Sequence, residues 1–405
     1  MSRTHNLTTA LAALLLAAPA SAYDLQTPGN DTKLSIYGFV YVLGQYFQGP
    51  AQNGVGSLQQ GLYKNVLSQA GSPDQNILFS VQPSRFGVST LTPSTEWGDF
   101  TTKLEFDLNG QTAGTAFHLR HAVGTVGAWT FGHTWSNWVD LDAGADEVDW
   151  AGPVGQAGWD TPRRPQVRYT WSLPSSSTFA LSVENNKGLD GDTFASGIQE
   201  DGKIPTVVGA YTLNGSWGHI GLRAIAISHG AYVPAASGAG SQRWQKESYG
   251  AQISGSAKLA KDTLVYSIYD GTGIADWGYG LQSATISNTA ASPKAINLYR
   301  NIGWLAGYTH VFTDRVRGNL IASGVNFSSN SSISTTNSAT GTDIKSQIDY
   351  IANVYYTFNP KTQLGFEFVH EVATPFGSGQ VLGNDGNQQN SATENKLELV
   401  YQAKF

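Results

Sequence analysis

The chain has no cysteine, and its single methionine is the initiator. Thiol nucleophiles, Cys-ligated metals and disulfides are thereby excluded. Charge is also scarce: 13% of residues are Asp, Glu, Lys or Arg, about half the share of an ordinary soluble domain. A soluble protein so poor in charge would struggle to cover its surface. Long apolar runs are missing as well. The only notable one, Leu7 to Ala18, falls short of the roughly twenty residues a membrane helix needs. It follows Arg3 and precedes Ala20-Ser21-Ala22, the pattern of a secretory signal peptide over residues 1–22 with the mature chain starting at Tyr23. Without membrane helices, a chain that crosses a bilayer must do so as a closed β-barrel. The net charge of −6, which becomes −7 once Arg3 is removed, argues against a nucleic-acid partner.

Glycine is abundant at 46 residues, and aromatics reach 11%. Along most of the chain, segments of about ten residues carry an apolar side chain at every second position and are bounded by Gly, Pro, Asn, Asp or Ser, as the strands of a membrane barrel require. Phe100, Thr102, Leu104, Phe106 and Leu108 alternate with Thr101, Lys103, Glu105 and Asp107. The same pattern sets Phe117, Leu119 and Val123 against His118 and Arg120, Val167, Tyr169 and Trp171 against Gln166, Arg168 and Thr170, and Tyr249 and Ile253 against Gln252 and Ser254. The expected fold is therefore all-β: a transmembrane antiparallel barrel of about sixteen strands over residues 23–405, lipid outside and water inside. The only helix expected is a short one around Leu58 to Leu67.

Two strands stand out. The first, Lys33 to Phe47, is apolar on both faces, which burial against a neighbouring subunit would explain, as would packing under an inward loop. The last alternates Leu397, Leu399, Tyr401 and Ala403 with polar residues and ends on Phe405. That ending resembles the signature read by the barrel-insertion machinery of Gram-negative bacteria, so an outer-membrane location in contact with lipid is expected.

One connection differs in kind from the Ser-, Thr- and Asn-rich loops. From Trp135 to Pro165, after the fifth strand, it carries Trp135, Trp138, Trp150 and Trp159, the acids Asp140, Asp142, Asp146, Glu147, Asp149 and Asp160, and Arg163-Arg164. Four Trp residues would be costly to leave wet, so residues 135–165 are expected to fold into the lumen as a constriction loop.

Ser84-Arg85-Phe86-Gly87, Phe117-His118-Leu119-Arg120-His121-Ala122, Gly132 to Trp138, Gly152 to Gln156 and Arg164 to Thr170 together resemble the ordered blocks of the DcaP-like porins. The resemblance implies a homotrimer of sixteen-stranded outer-membrane channels that favour small anionic solutes such as dicarboxylates. It also implies that Arg85, Arg120, Arg164 and Arg168 match basic positions of the family. Barrel strands that start almost at the mature N-terminus depart from fuller members, which carry a helical extension. The alternation independently turns Arg120 and Arg168 inward. Such arginines either pair with acids of the inward loop to hold it or contact solute directly; Lys103, Arg223 and Arg317 are lesser lumen candidates.

No cofactor is implied. The loop acids lack the spacing of a calcium loop, and the seven histidines of the mature chain are scattered without metal-ligand spacing. A barrel acting as an adhesin or a surface enzyme is the alternative, with Ser136 near His133 as the only nucleophile pairing to weigh. N-terminal sequencing of the outer-membrane form is expected to begin at Tyr23; an uncleaved Arg3 would refute the signal peptide.

Overall fold

The computed structural model describes residues 23–26, 31–48, 75–109, 116–148, 157–159, 161–186, 199–233, 241–278, 284–289, 292–328, 344–375, 381–382 and 388–405. Sixteen spanning strands follow one another in chain order: β1 (Lys33–Gln48), β2 (Gln75–Ser80 continuing as Arg85–Thr92), β3 (Phe100–Asp107), β4 (His118–Val126), β5 (Trp129–Trp135), β6 (Arg163–Leu173), β7 (Ser177–Glu184) and β8 (Thr206–Gly215). The second half is β9 (Gly218–Val233), β10 (Gln242–Leu259), β11 (Asp262–Thr272), β12 (Arg300–Thr313), β13 (Val316–Ser328), β14 (Ile344–Asn359), β15 (Thr362–Pro375) and β16 (Ala392–Lys404). Each pairs antiparallel with its neighbour, and β1 pairs with both β2 and β16, closing the barrel. The expected count of sixteen holds.

Closure leaves each backbone donor to be satisfied inside the wall. Pro83, which has no N–H to donate, sits in the break of β2. There the Ser84 hydroxyl replaces the ladder, accepting from the Tyr41 amide at 3.0 Å and donating to the Tyr41 carbonyl at 3.2 Å. At the other seam the Phe405 amide donates to the Gly38 carbonyl at 3.0 Å. Beyond that point Tyr23–Gln26 takes over, pairing with Lys33 to Ile36.

Seven short turns, including Gly127-Ala128, Ser216-Trp217 and Pro360-Lys361, lie at one rim, the periplasmic one by the asymmetry of such barrels. The longer connections, including that from β5 to β6, lie at the other rim. On the outer face Trp129, Tyr169, Trp171 and Phe179 pack ring on ring across β5 to β7, as an interfacial aromatic belt does.

Burial follows the alternation. Leu104, Val167, Ile253, Leu399 and Tyr401 are exposed outward, while Glu105, Gln166, Gln252, Glu398 and Gln402 are buried inward. One expected position is corrected. Between β3 and β4 the register passes from Glu105–His121 to Phe106–Leu119, leaving Arg120 as an extra residue in a bulge. The bulge reverses the parity behind it, so Val123 lies opposite Lys103, on the inner face and not the outer one. The double apolarity of β1 is explained by the inward loop: Tyr41 and Leu43 are buried in a cluster with Val148 of that loop, while Val40 is exposed outward. The expected helix around Leu58 to Leu67 and the expected signal peptide lie outside the described residues.

Gly38 marks how tight the closing seam is. A Cβ there would lie 2.3 Å from the Arg85 carbonyl oxygen and 2.6 Å from the Phe405 ring. Gly38→Val is expected to cut the yield of heat-resistant barrel several-fold in gel-shift refolding assays. Gly209→Ala, whose added methyl meets only Phe179 ring atoms at 3.8 Å and beyond, is expected to leave the yield unchanged.

Candidate functional site

The connection from β5 to β6 does fold inward, and its anchors can be followed strand by strand. At its neck the Ser136 amide donates to the Pro162 carbonyl at 2.9 Å. The Trp135 carbonyl accepts from Gln166 Nε2 at 2.9 Å and from Arg168 Nη2 at 2.5 Å. Ser136 Oγ is occupied by the Trp138 amide, a turn-stabilising role unlike that of a nucleophile. Asn137 then spans the wall, its amide on Glu184 Oε1 and its Nδ2 on the carbonyls of Ala180 and Val208. Trp138 is buried in a cluster with Val208, Ile225, Ile227, Tyr269, Ile274 and Trp277. The last two come from the start of the connection between β11 and β12, whose short helix Ala275–Gly278 also turns inward.

Asp140 is the strongest polar anchor. Its carboxylate accepts from Ser254 Oγ at 2.6 Å and Arg223 Nη1 at 2.8 Å, and lies 3.1 Å from His219 Nε2. Burial raises its carboxyl, but the His219 hydrogen bond, the Arg223 charge and Ser254 outweigh it and hold the group below the usual carboxylate range. After a single 3-10 turn, Leu141–Ala143, Ala143 and Ala145 pack against Val265, Leu305, Ile321, Ile351 and Val369, an apolar patch on the inner wall. Asp146 pairs with Arg317 Nε at 2.6 Å, and its carbonyl accepts from Asn353. The Val148 amide donates to Glu367 Oε2 at 2.9 Å, and its carbonyl accepts from the Tyr41 hydroxyl. On the return, the Ala157 amide donates to Asp349 at 2.6 Å. Gly158, at φ +74°, passes so close to Gly324 and Trp304 that no side chain fits, and Trp159 joins the apolar patch.

The loop therefore covers the inner wall from β7 round to β15 and β1. At its neck it also touches β6, through Gln166 and Arg168, and β4, where the Trp135 ring lies 5.3 Å from that of His121. Strands β2 to β4 and β6, on the other side of the lumen, carry Arg85, Lys103, Arg120, Arg163, Arg164 and Arg168 against two carboxylates, Glu105 and Asp107. Arg120 is 3% exposed and fully engaged, with Nε on Glu105 at 3.0 Å and Nη1 on Asp107 at 2.6 Å. Lys103 also reaches Glu105, at 3.1 Å, yet its side chain stays 27% exposed. Arg85 lies over Phe39, Arg163 over Trp135 and Arg164 over Trp277.

The structure redistributes the expected roles. Arg120 holds wall acids, not loop acids; the loop's carboxylates are held by Arg223 and Arg317, which the sequence ranked lower. Arg168 does brace the loop, through a backbone carbonyl. Of the expected acidic face, Asp140 and Glu147 are buried and Asp146 is paired, so Asp142 is left as the exposed acid; Asp149, Trp150 and Asp160 lie outside the described residues. Trp277 was missed altogether, its only signal being the helix-like interruption after β11. Beneath the loop, toward the periplasmic rim, a polar cavity of about 190 Å³ is lined by Asp146, Glu147, Arg317, Tyr355 and Lys404.

A family model described as DcaP outer membrane protein matches residues 5–379. The fold is similar to that of the outer membrane channel DcaP of Acinetobacter baumannii, at 20% identity and a TM-score of 0.75, covering 94% of this chain and 99% of that one. It is also similar to the anion-selective porin from Comamonas acidovorans, at 9% identity and 0.60, covering 92% and 100%. The trimer form of OmpT from Vibrio cholerae follows at 12% identity and 0.56, covering 93% and 100%. No curated protein sequence matches.

Removing Asp140 would leave Arg223 buried beside the loop without its carboxylate, a loss of about 3–5 kcal/mol when such a pair is fully interior. Asp140→Ala is expected to free the loop, seen as proteolytic cleavage within it that the wild type resists. Because the native carboxyl titrates below its unfolded value, this anchor is fully present above about pH 4 and is lost only as pH falls through the depressed native value. The wild-type loop is thus expected to resist protease at pH 5 as well as at pH 7.

Proposed function

The chain belongs to the DcaP outer membrane protein family and is an outer-membrane channel; from that premise we propose that it passes small anions, dicarboxylates among them, by facilitated diffusion along its uncovered basic strip. One observation carries this: the loop's described carboxylates are mostly neutralised or buried against the covered wall, while six cationic side chains on the opposite strip face two carboxylates. The excess positive potential sits where the lumen is open, and a low-dielectric wall behind it focuses the field.

Within the strip the roles differ. Arg120, buried and doubly paired, sets the positions of Glu105 and Asp107 and through them of Lys103. The half-buried Lys103 ammonium is the group a passing carboxylate meets first, and Arg168 shapes the neck of the loop by holding the Trp135 carbonyl. Several weak contacts in series favour entry without trapping the solute, and no energy source or cofactor enters the process.

The working unit in this proposal is a homotrimer, supported by the family resemblance and by the trimeric OmpT fold relative. The apolar face of β1 no longer argues for it, since Tyr41 and Leu43 pack under the loop. Phe405, exposed at the end of β16, is the group offered to the insertion machinery after signal-peptide removal.

Single-channel recording in planar bilayers tests the proposal. We expect a reversal potential that leans toward anions under a KCl gradient, and transient blockades by succinate. Lys103→Gln is expected to lower the anion-to-cation ratio by about two- to five-fold, as loss of an interaction of ~0.5–1 kcal/mol in a water-filled lumen requires. Cation selectivity without blockade would refute the anion pathway.

A further inference from the structure

Behind the inward loop, the inner face of β14 to β16 places acids directly opposite acids. Glu367 lies opposite Glu398, and Glu371 opposite Glu394, across β15 and β16; Asp349 lies opposite Glu371 across β14 and β15. All five are buried. Like charges at directly opposed positions of a sheet repel, and burial strengthens the repulsion.

The two rungs are resolved differently. At the Glu371 rung a cation is present: Lys396 lies 3.2 Å from Glu371, and Asp349 accepts from the Ala157 amide and from Gln347. At the Glu367 rung no cation touches either acid among the described contacts. Glu367 Oε2 accepts from the Val148 amide at 2.9 Å and from Asn353 Nδ2 at 2.8 Å, and Glu398 Oε1 accepts from Gln45 Nε2 at 2.6 Å. Among the described residues the remaining oxygens, Glu367 Oε1 and Glu398 Oε2, are buried without any donor, on side chains that the register sets directly opposite each other. Two acceptors in that position repel; one proton between them turns the contact into a short charge-assisted O–H···O bond.

Among the described residues the surroundings offer no other remedy. From β1 the pair is faced by Gln45 and by Tyr41, whose hydroxyl is given to the Val148 carbonyl. From β13 and β14 come Arg317, committed to Asp146 and Gln363, and Tyr355, over which Arg317 stacks. The loop itself adds two further acids, Asp146 and Glu147, and β16 adds Lys396, which serves the neighbouring rung.

We propose that Glu367 and Glu398 hold a single proton between them, and that this shared proton fastens the far end of the inward loop at Val148. The proposal uses the loop's position only and does not depend on the pore's preference for anions. The sign follows directly. The fastened state binds one proton more than a state in which the pair is hydrated and ionised, so fastening is complete at low pH and is lost as pH rises. On ionisation the two carboxylates turn apart, Glu367 gives up its bonds to Val148 and Asn353, and Val148 is left held by the Tyr41 hydroxyl alone.

The test uses the full-length barrel refolded in lipid, followed by infrared spectroscopy and by open-channel current noise across a pH titration. The key variant is Glu398→Gln, which keeps the pair's net charge at −1 and gives Glu367 a permanent amide donor. In the difference between wild type and variant, we expect a neutral-carboxyl carbonyl band at neutral pH that disappears on alkalinisation in step with a several-fold rise in current noise. The variant is expected to lose both the band and the noise step while keeping the wild-type reversal potential. Should Glu398→Gln not fold, Glu367→Gln presents the same donor from the other side and is expected to give the same result. The proposal is overturned if the difference band is absent, if the noise step survives in the variant, or if the noise at fixed pH depends on whether Na⁺, K⁺ or Ca²⁺ is supplied, which would mean that a metal cation occupies the pair. A changed anion preference with an intact band and noise step would fault the proposed solute pathway and leave the shared proton standing.

Discussion

A bilayer offers the backbone no hydrogen-bonding partner, so every peptide group in the wall must find one within the wall. The rest of the structure depends on that constraint. It forces the sheet to close, with β1 bonded to β2 on one side and to β16 on the other. It explains why the gap beside Pro83 is bridged by the Ser84 hydroxyl and why Tyr23–Gln26 continues the ladder where Phe405 ends. Once the wall is closed, strand geometry assigns every second residue to water and the others to lipid, and chemistry becomes possible only on the inner set.

The inner set then has to accommodate a loop. A polar segment of this length cannot lie on a uniformly charged wall without leaving groups unpaired, and it cannot lie on a uniformly apolar one without burying its amides unsatisfied. The wall solves this by changing character along the loop's path. Carbonyls and Glu184 receive Asn137, a cationic and hydroxyl pocket receives Asp140, an apolar patch receives Ala143 and Ala145, and Arg317 receives Asp146. Because the loop takes most of its anchors from β7 onward, the basic strip of β2 to β6 lies opposite the covered wall, with Lys103 its partly exposed cation.

Much of this was legible in the sequence. The period-two alternation, the fifth-strand position of the Trp-rich connection and its inward fold all rest on local pattern, and all are present. What was not legible depends on pairing across long separations. Asp140 meets Arg223 and Asp146 meets Arg317, contacts that no local spacing announces, so the arginines nearest in sequence could be read either as holding the loop or as meeting solute, while distant ones hold its carboxylates. Val123 was misplaced because a bulge at Arg120 is invisible to a strict alternation. The apolar inner positions Val265, Leu305 and Ile321 depart from an apolar-out, polar-in alternation, and only the loop that covers them accounts for it.

The two ends of the covered segment are held by opposite kinds of acid. Asp140 is surrounded by donors and a cation, so its carboxylate is the favoured form and its anchor withstands neutral and mildly acidic conditions. Glu367 faces another acid across the sheet and is satisfied only on one oxygen, so its anchor is favoured by a proton. A loop fastened in this way does not respond to pH as a rigid body. Its near end, next to Trp138 and the neck, stays with the barrel, while its far end, next to Val148, is the part free to change. Any change there is confined to the stretch beyond Ala143, Ala145 and Asp146, which the apolar patch and Arg317 hold, so the basic strip on β2 to β6 is left in place.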